Sequence, residues 1–315
     1  MQKQFYFSFV LAILSFITVK SIQKVGVERY HIIQSPVFQK ENGWFNLSEP
    51  EQMASLPFEL REISGLTDFS RSEVACVQDE DGIIYFYNLL DNTINNRIQF
   101  SGAGDYEGLT FVDSTFYILR SDATLFSIKF PADSAIVDSV KLMLPAWDNE
   151  GLCYDKKDER LLIASKSRLA KGPAFKDIRG IYEMSLETGE LNNSPLFEIR
   201  VSELIAFALE NNLPLPQKET HNLNDTVSYY LKFMPSSISV HPKTDEIYVI
   251  SAVDHSMAIF DKTGKIVNFV CLDPLLFNKP EGITFLDNGD MIITNEGQMG
   301  SPTLLRFNWK IGGKS

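Results

Sequence analysis

A short turn motif recurs along this chain at a spacing that suits one architecture. Its copies are Ile63-Ser64-Gly65-Leu66-Thr67, Tyr106-Glu107-Gly108-Leu109-Thr110, Asn149-Glu150-Gly151-Leu152-Cys153, Pro235-Ser236-Ser237-Ile238-Ser239 and Pro280-Glu281-Gly282-Ile283-Thr284. The aligned small residues are Gly65, Gly108, Gly151, Ser237 and Gly282, separated by 43, 43, 86 and 45 positions. A period in the low forties is that of a four-stranded propeller blade. The fold class expected is therefore all-β: a β-propeller of five four-stranded blades.

The parts between motifs support this. A first strand ends at a polar turn such as Asp155-Lys156-Lys157-Asp158 or Asp287-Asn288-Gly289-Asp290, the latter with an Asn-Gly hairpin signal. β-branched second strands are expected at Phe116 to Leu119, Leu161 to Ala164, Ile247 to Ile250 and Met291 to Thr294. Third strands are expected at Ile83 to Tyr87, Leu125 to Ile128, Ile181 to Met184, Met257 to Phe260 and Leu304 to Phe307, and outer strands at Arg97 to Phe100, Asp138 to Leu142 and Lys265 to Cys271. Asp79-Glu80-Asp81-Gly82 reads as a hairpin turn, since an EF-hand loop counted from Asp79 would place Leu90 where Glu is needed.

The separation of 86 leaves room for a sixth blade. Residues 173–231 lack a second motif, however, and hold a helix expected over Ser202 to Asn211 with Leu204, Ile205, Ala208 and Leu209 on one face. We read them as an insertion on the third blade. The propeller then spans 55–309, with a wrapping segment at 22–54 and a tail at 310–315. Closing the ring needs a strand from the other terminus, for which Pro57 to Leu60 is placed.

Phe5 to Val19 is almost wholly apolar between Lys3 and Lys20, so residues 1–21 read as a signal peptide or an N-terminal membrane anchor. The expected location is the bacterial periplasm, cell surface or membrane. The net charge of -12, with no Lys/Arg cluster, excludes nucleic acid as a partner. Cys76, Cys153 and Cys271 lie in strand-like runs and read as buried thiols, or as one disulfide plus a free thiol.

The residues before the aligned small positions are Ser64, Glu107, Glu150, Ser236 and Glu281. Pseudo-rotation brings Glu107, Glu150 and Glu281 towards a common axis. Crowded carboxylates must be protonated, meet cations of the protein, or bind a metal. Hard oxygen donors suit Ca²⁺, with Ser64 and Ser236 completing the shell. The alternatives are carboxylates that fix the blade starts through turn amides, or pairing with a basic residue. Arg120 and Lys166 follow second strands, and Gln78, Asn295 and Glu296 occupy similar places, so these five are candidates for ligand binding. None of the four histidines or three cysteines joins the ring, which argues against Zn²⁺.

The ordered set Glu62 to Leu66, Asp105 to Leu109, Asp148 to Asp155, Pro235 to Pro242 and Pro280 to Ile283 resembles the SdiA-regulated family of bacterial propellers, phytase-like in style. The resemblance covers about 55–309. It implies five blades and an acidic central channel able to hold calcium, without a defined biochemical role. The expected function is an exported envelope propeller that binds calcium in its channel and a small molecule or envelope protein at the channel mouth. The alternative is a calcium-dependent hydrolase of phosphoesters, esters or lactones, in which Arg120 or Lys166 stabilises developing negative charge. A structural role, holding envelope partners through the N-terminal segment, is a third reading.

Overall fold

Five four-stranded antiparallel sheets account for nearly all the regular structure of the computed structural model, which describes residues 44–129, 136–220 and 226–310. From inside outwards the first blade is Ile63–Asp68, Glu73–Gln78, Ile83–Asn88 and Thr93–Gln99. The second is Tyr106–Val112, Thr115–Arg120, Thr124–Lys129 and Ile136–Lys141. The third is Asn149–Asp155, Arg160–Ser165, Ile178–Ser185 and Phe197–Arg200, and the fourth is Ser237–Val240, Ile247–Ser251, Ser256–Phe260 and Ile266–Cys271. In the fifth, Pro280–Phe285, Met291–Asn295 and Thr303–Phe307 are completed on the outside by Gln52–Ser55 from the other end of the chain. The chain is thus a five-bladed propeller, and among the described residues no sixth blade occupies the long interval.

Burial explains the sequence pattern of each layer. Inner and middle strands are covered on both faces by neighbouring blades, so they read as nearly continuous apolar runs, such as the wholly buried Met291–Asn295. Outer strands meet solvent: every residue of Ile136–Lys141 is exposed. Five hydrophobic clusters fill the spaces between blades. The three cysteines are buried free thiols distributed among them.

The motif glycines close the inner ring. A Cβ added to Gly65 would come 2.9 Å from the backbone nitrogen of Leu109, and one on Gly108 would come 2.6 Å from the Cβ of Leu152. One on Gly151 would meet Ile238, and one on Gly282 would meet Leu66. In the fourth blade Ser237 stands at this place, and its hydroxyl accepts a hydrogen bond from the Ile283 amide at 3.2 Å. Each small residue therefore seats the following blade, and the fifth seats the first. Side chains this close to a neighbouring backbone are excluded by packing, which is why the period is marked by glycine.

Ring closure differs from the expectation. Phe58–Leu60 is a single 3-10 turn following Pro57, and the closing strand is Gln52–Ser55, paired with Thr303–Phe307. The short Gln-Met-Ala-Ser run carries little strand signal, because it is an outer strand with only Ala54 buried. Phe45, fully buried between the fourth and fifth blades, fastens the chain just before it. The rest of the segment expected to wrap the propeller, and the apolar run Phe5 to Val19, lie outside the described residues. Among the described residues no helix is long and apolar enough to cross a membrane.

The extra chain is narrower than residues 173–231. The third and outer strands of blade three fall inside that span, and the surplus follows them as a helix at Val201–Glu210 and a hairpin pairing Gln217–Thr220 with Thr226–Tyr229. The helix lacks a side-chain cap of its own. Asp177 serves instead, with its carboxylate accepting from the Ser202 amide at 3.1 Å, which suits the positive end of the helix. Val201, Leu204 and Ala208 are buried, whereas Leu209, expected on the same face, is 44% exposed.

Candidate ligand site at the channel mouth

A backbone irregularity sets the site. In blades one, two, three and five the pairing of the first two strands skips one residue, between Ile63 and Gly65, Tyr106 and Gly108, Asn149 and Gly151, and Pro280 and Gly282. The skipped residues are Ser64, Glu107, Glu150 and Glu281. A β-bulge frees its extra residue from the ladder and re-aims the side chain. The positions singled out by the repeat are therefore structurally equivalent, and they lie at the starts of the inner strands.

The two serines act between blades. The Ser64 hydroxyl donates to the Tyr106 carbonyl at 2.6 Å, and the Ser236 hydroxyl donates to the Pro280 carbonyl at 2.9 Å. Each thus ties its blade to the residue preceding the next blade's glutamate.

The three glutamates share a network with two lysines. Lys166 pairs with Glu150. Lys279 pairs with Glu281 at 3.4 Å and also with Glu296. Glu107 makes no ion pair among the described residues, yet it interacts electrostatically with Lys166 and Glu281. Glu150 is only 3% exposed, and its second carboxylate oxygen, Oε2, is buried without a hydrogen-bond partner. A charged oxygen left so is costly unless something meets it.

Proton affinities reflect this crowding. Burial, and then Asp105, push Glu107 up to about 8, against the pull of Lys166. Burial and Glu107 raise Glu150 well above the carboxylate range. Glu281 is raised by burial, with Lys279 and Lys166 opposing. Burial also lifts Glu296 to about 7. Asp79 rises to about 6 through burial, helped by Glu62, Glu80 and Asp105. Burial works against the charge of Lys166, but Glu150, Glu281 and Asp148 outweigh it and hold its ammonium above the ordinary lysine range. This mouth is an acid-rich set of side chains that is short of positive charge.

The remaining sequence candidates divide. Lys166 and Glu296 belong to the network. Arg120 does not pair with the glutamates: Asp122 holds its guanidinium at 2.9 and 3.0 Å, and it lies over the Phe126 ring. Gln78 is buried, and its side-chain oxygen accepts from the Glu80 amide at 2.9 Å. Asn295 is buried and donates to the Leu276 carbonyl and the Thr303 hydroxyl, leaving its own oxygen without a partner. The Asp79 to Gly82 stretch links the second and third strands of blade one as a turn. Lys279 escaped the sequence reading. It stands at the bend just before the strand Pro280–Phe285, next to the bulge that frees Glu281.

Calcium meets this arrangement with difficulty. Lysine ammoniums already sit on two of the three glutamates. Among the described residues no group of three or more His, Cys, Asp or Glu is arranged to hold a metal ion.

No family model matches the chain, and no curated protein does. Solved structures do resemble it. A glutaminyl cyclase from Myxococcus xanthus superposes with a TM-score of 0.53 at 11% identity, over 83% of this chain and 96% of the other. A streptogramin B lyase gives a TM-score of 0.45 at 12% identity, over 85% and 98%. At such identity the glutaminyl cyclase shares this chain's fold alone: what the comparison establishes is a β-propeller.

Proposed function

We propose that this protein is a binding propeller whose glutamate-lined mouth takes up a cation. The observation that carries this reading is Glu150, buried, with one oxygen on Lys166 and the other lacking a partner, beside a Glu107 that no described cation pairs. The mouth already seats two ammonium groups on glutamates, so a third ammonium, brought by a ligand, fits its existing chemistry. Hydrogen bonds to charged groups are the stronger ones, and here they would also relieve the repulsion between carboxylates. Calcium is the second reading and requires the ion to displace Lys166 or Lys279. The hydrolase reading loses support, because Arg120 is engaged by Asp122 and Lys166 by Glu150. Export to the cell envelope stays part of the proposal and rests on residues 1–21. The resemblance to the SdiA-regulated family supports the propeller setting and assigns no residue a role.

The test is thermal unfolding with butylammonium, with calcium and with a chelator, alongside elemental analysis of the purified protein. A concentration-dependent rise in Tm with butylammonium that Glu107→Gln abolishes supports the ammonium reading. Bound calcium near one per chain, with a melt that falls on chelation, transfers the site to the metal. No response to either returns the glutamates to a structural role and ends the proposal.

A further inference from the structure

The other end of the inner strands encloses a cavity of about 480 Å³ that all five blades line. That volume lies within the range of small-molecule sites. Equivalent positions form its walls: Asp68, Phe111, Tyr154, Val240 and Phe285 stand three residues beyond the aligned small positions. Next to them come the hydroxyls of Thr67, Thr110, Ser239 and Thr284, and the floor is aliphatic, with Leu66, Leu109, Leu152 and Ile283.

Charge around this cavity is divided by side. Blades three and four supply Lys156, Lys157 and Lys243. Blades five, one and two supply Asp287, Asp68 and Asp113. Two further carboxylates are already engaged, Asp155 by Arg160 at 3.0 Å and Asp245 by Lys157 at 2.5 Å. This leaves Lys156 and Lys243 facing Asp68, Asp113 and Asp287, none of which makes an ion pair among the described residues. A simple anion entering here meets three aspartates, and a simple cation meets two lysines. A molecule carrying both charges, apart from each other, meets complementary groups at both ends.

We infer that this cavity binds a zwitterion of the amino-acid class, a free amino acid or a short peptide with unblocked termini. The carboxylate would lie towards Lys156 and Lys243, the ammonium towards Asp68 and Asp287, and an apolar side chain over the aliphatic floor. Asp68 is half-buried beside Thr284, and burial and then Asp287 push it up to about 6, against the pull of Lys156. His241, also at the wall, is held neutral: burial brings it down to about 4, and it adds no competing charge at pH 7.

The experiment is calorimetric titration with leucine, alanyl-leucine and alanyl-leucyl-alanine, and with the N-acetyl and C-amide forms of the dipeptide. Binding by at least one unblocked probe is expected, with the longest tolerated probe measuring the span between the two charged sides. Blocking either terminus of the dipeptide should weaken binding at least tenfold. Asp68→Asn should weaken the unblocked dipeptide at least tenfold while leaving the N-acetyl form unchanged, and Lys243→Met should do the converse with the C-amide form. No binding by any probe up to about 10 mM, an affinity too weak to be specific, overturns the inference. Equal binding of blocked and unblocked forms does so too, as does an equal loss for all probes in both variants. Glu107→Gln, at the opposite mouth, should leave this binding unchanged, which separates the inference from the cation site.

Discussion

Glu107→Gln should leave the protein as stable as the wild type at pH 5 and make it more stable at pH 9. The native carboxyl binds its proton up to about pH 8, whereas an unfolded glutamate loses it near 4.5. Between those values the folded state holds more protons than the unfolded one, so stability falls as pH rises and levels off above 8. At about 1.36 kcal/mol per unit the full shift corresponds to roughly 5 kcal/mol, an upper bound for a mouth open to water. Relaxation and solvent leave about 1–2 kcal/mol of this. Glutamine keeps the shape and the hydrogen-bonding capacity and removes the titration. Urea unfolding at pH 5, 7 and 9 reads the difference directly, and 1–2 kcal/mol corresponds to about 2–8 °C in Tm for a domain of this size. The variant's advantage should grow between pH 5 and 8 and then stay constant. A variant less stable than the wild type at pH 9 would refute the reasoning, since attraction to Lys166 would then outweigh burial and repulsion from Asp105.

The seating of each blade on the next predicts that Gly108→Ala costs about 1–3 kcal/mol, because the new Cβ meets backbone and Leu152 at 2.6–2.9 Å. Gly102→Ala, with open space around it, should change the urea midpoint little. Ser64→Ala should cost about 1 kcal/mol through loss of the bond to the Tyr106 carbonyl, measured in the same assay. Phe45→Ala should cost about 3–5 kcal/mol, since this ring is fully buried where the chain enters the closing strand; a near-neutral result would show that the fifth blade does not depend on that contact.

The repeat was legible because packing writes it into the sequence. Only a small residue fits where Gly65, Gly108 and Gly151 meet the following blade, so the period survives wherever the ring does. Middle strands were legible for a related reason, being covered on both faces and therefore apolar throughout. Blade closure was misplaced because Gln52–Ser55 is an outer strand with one buried residue, while the more strand-like neighbourhood of Leu60 turns as a 3-10 segment after Pro57. The equivalence of Glu107, Glu150 and Glu281 followed from the motif alone. That each stands at a bulge, and that Lys166 and Lys279 come to meet two of them, follows from strand register and chain path within blades three and five, which the motif does not encode. The cavity at the opposite mouth was invisible for the same reason. Asp68 ends an inner strand, and Lys156, Lys243 and Asp287 sit in three separate turns whose local signal is only that of a hairpin; it is closure of the ring that gathers lysines on one side of an axis and aspartates on the other. Sequence by itself therefore determined the blade and its repetition, through short-range packing; the tertiary structure decided which charges share a space, because electrostatic neighbours are set by distance in the folded ring.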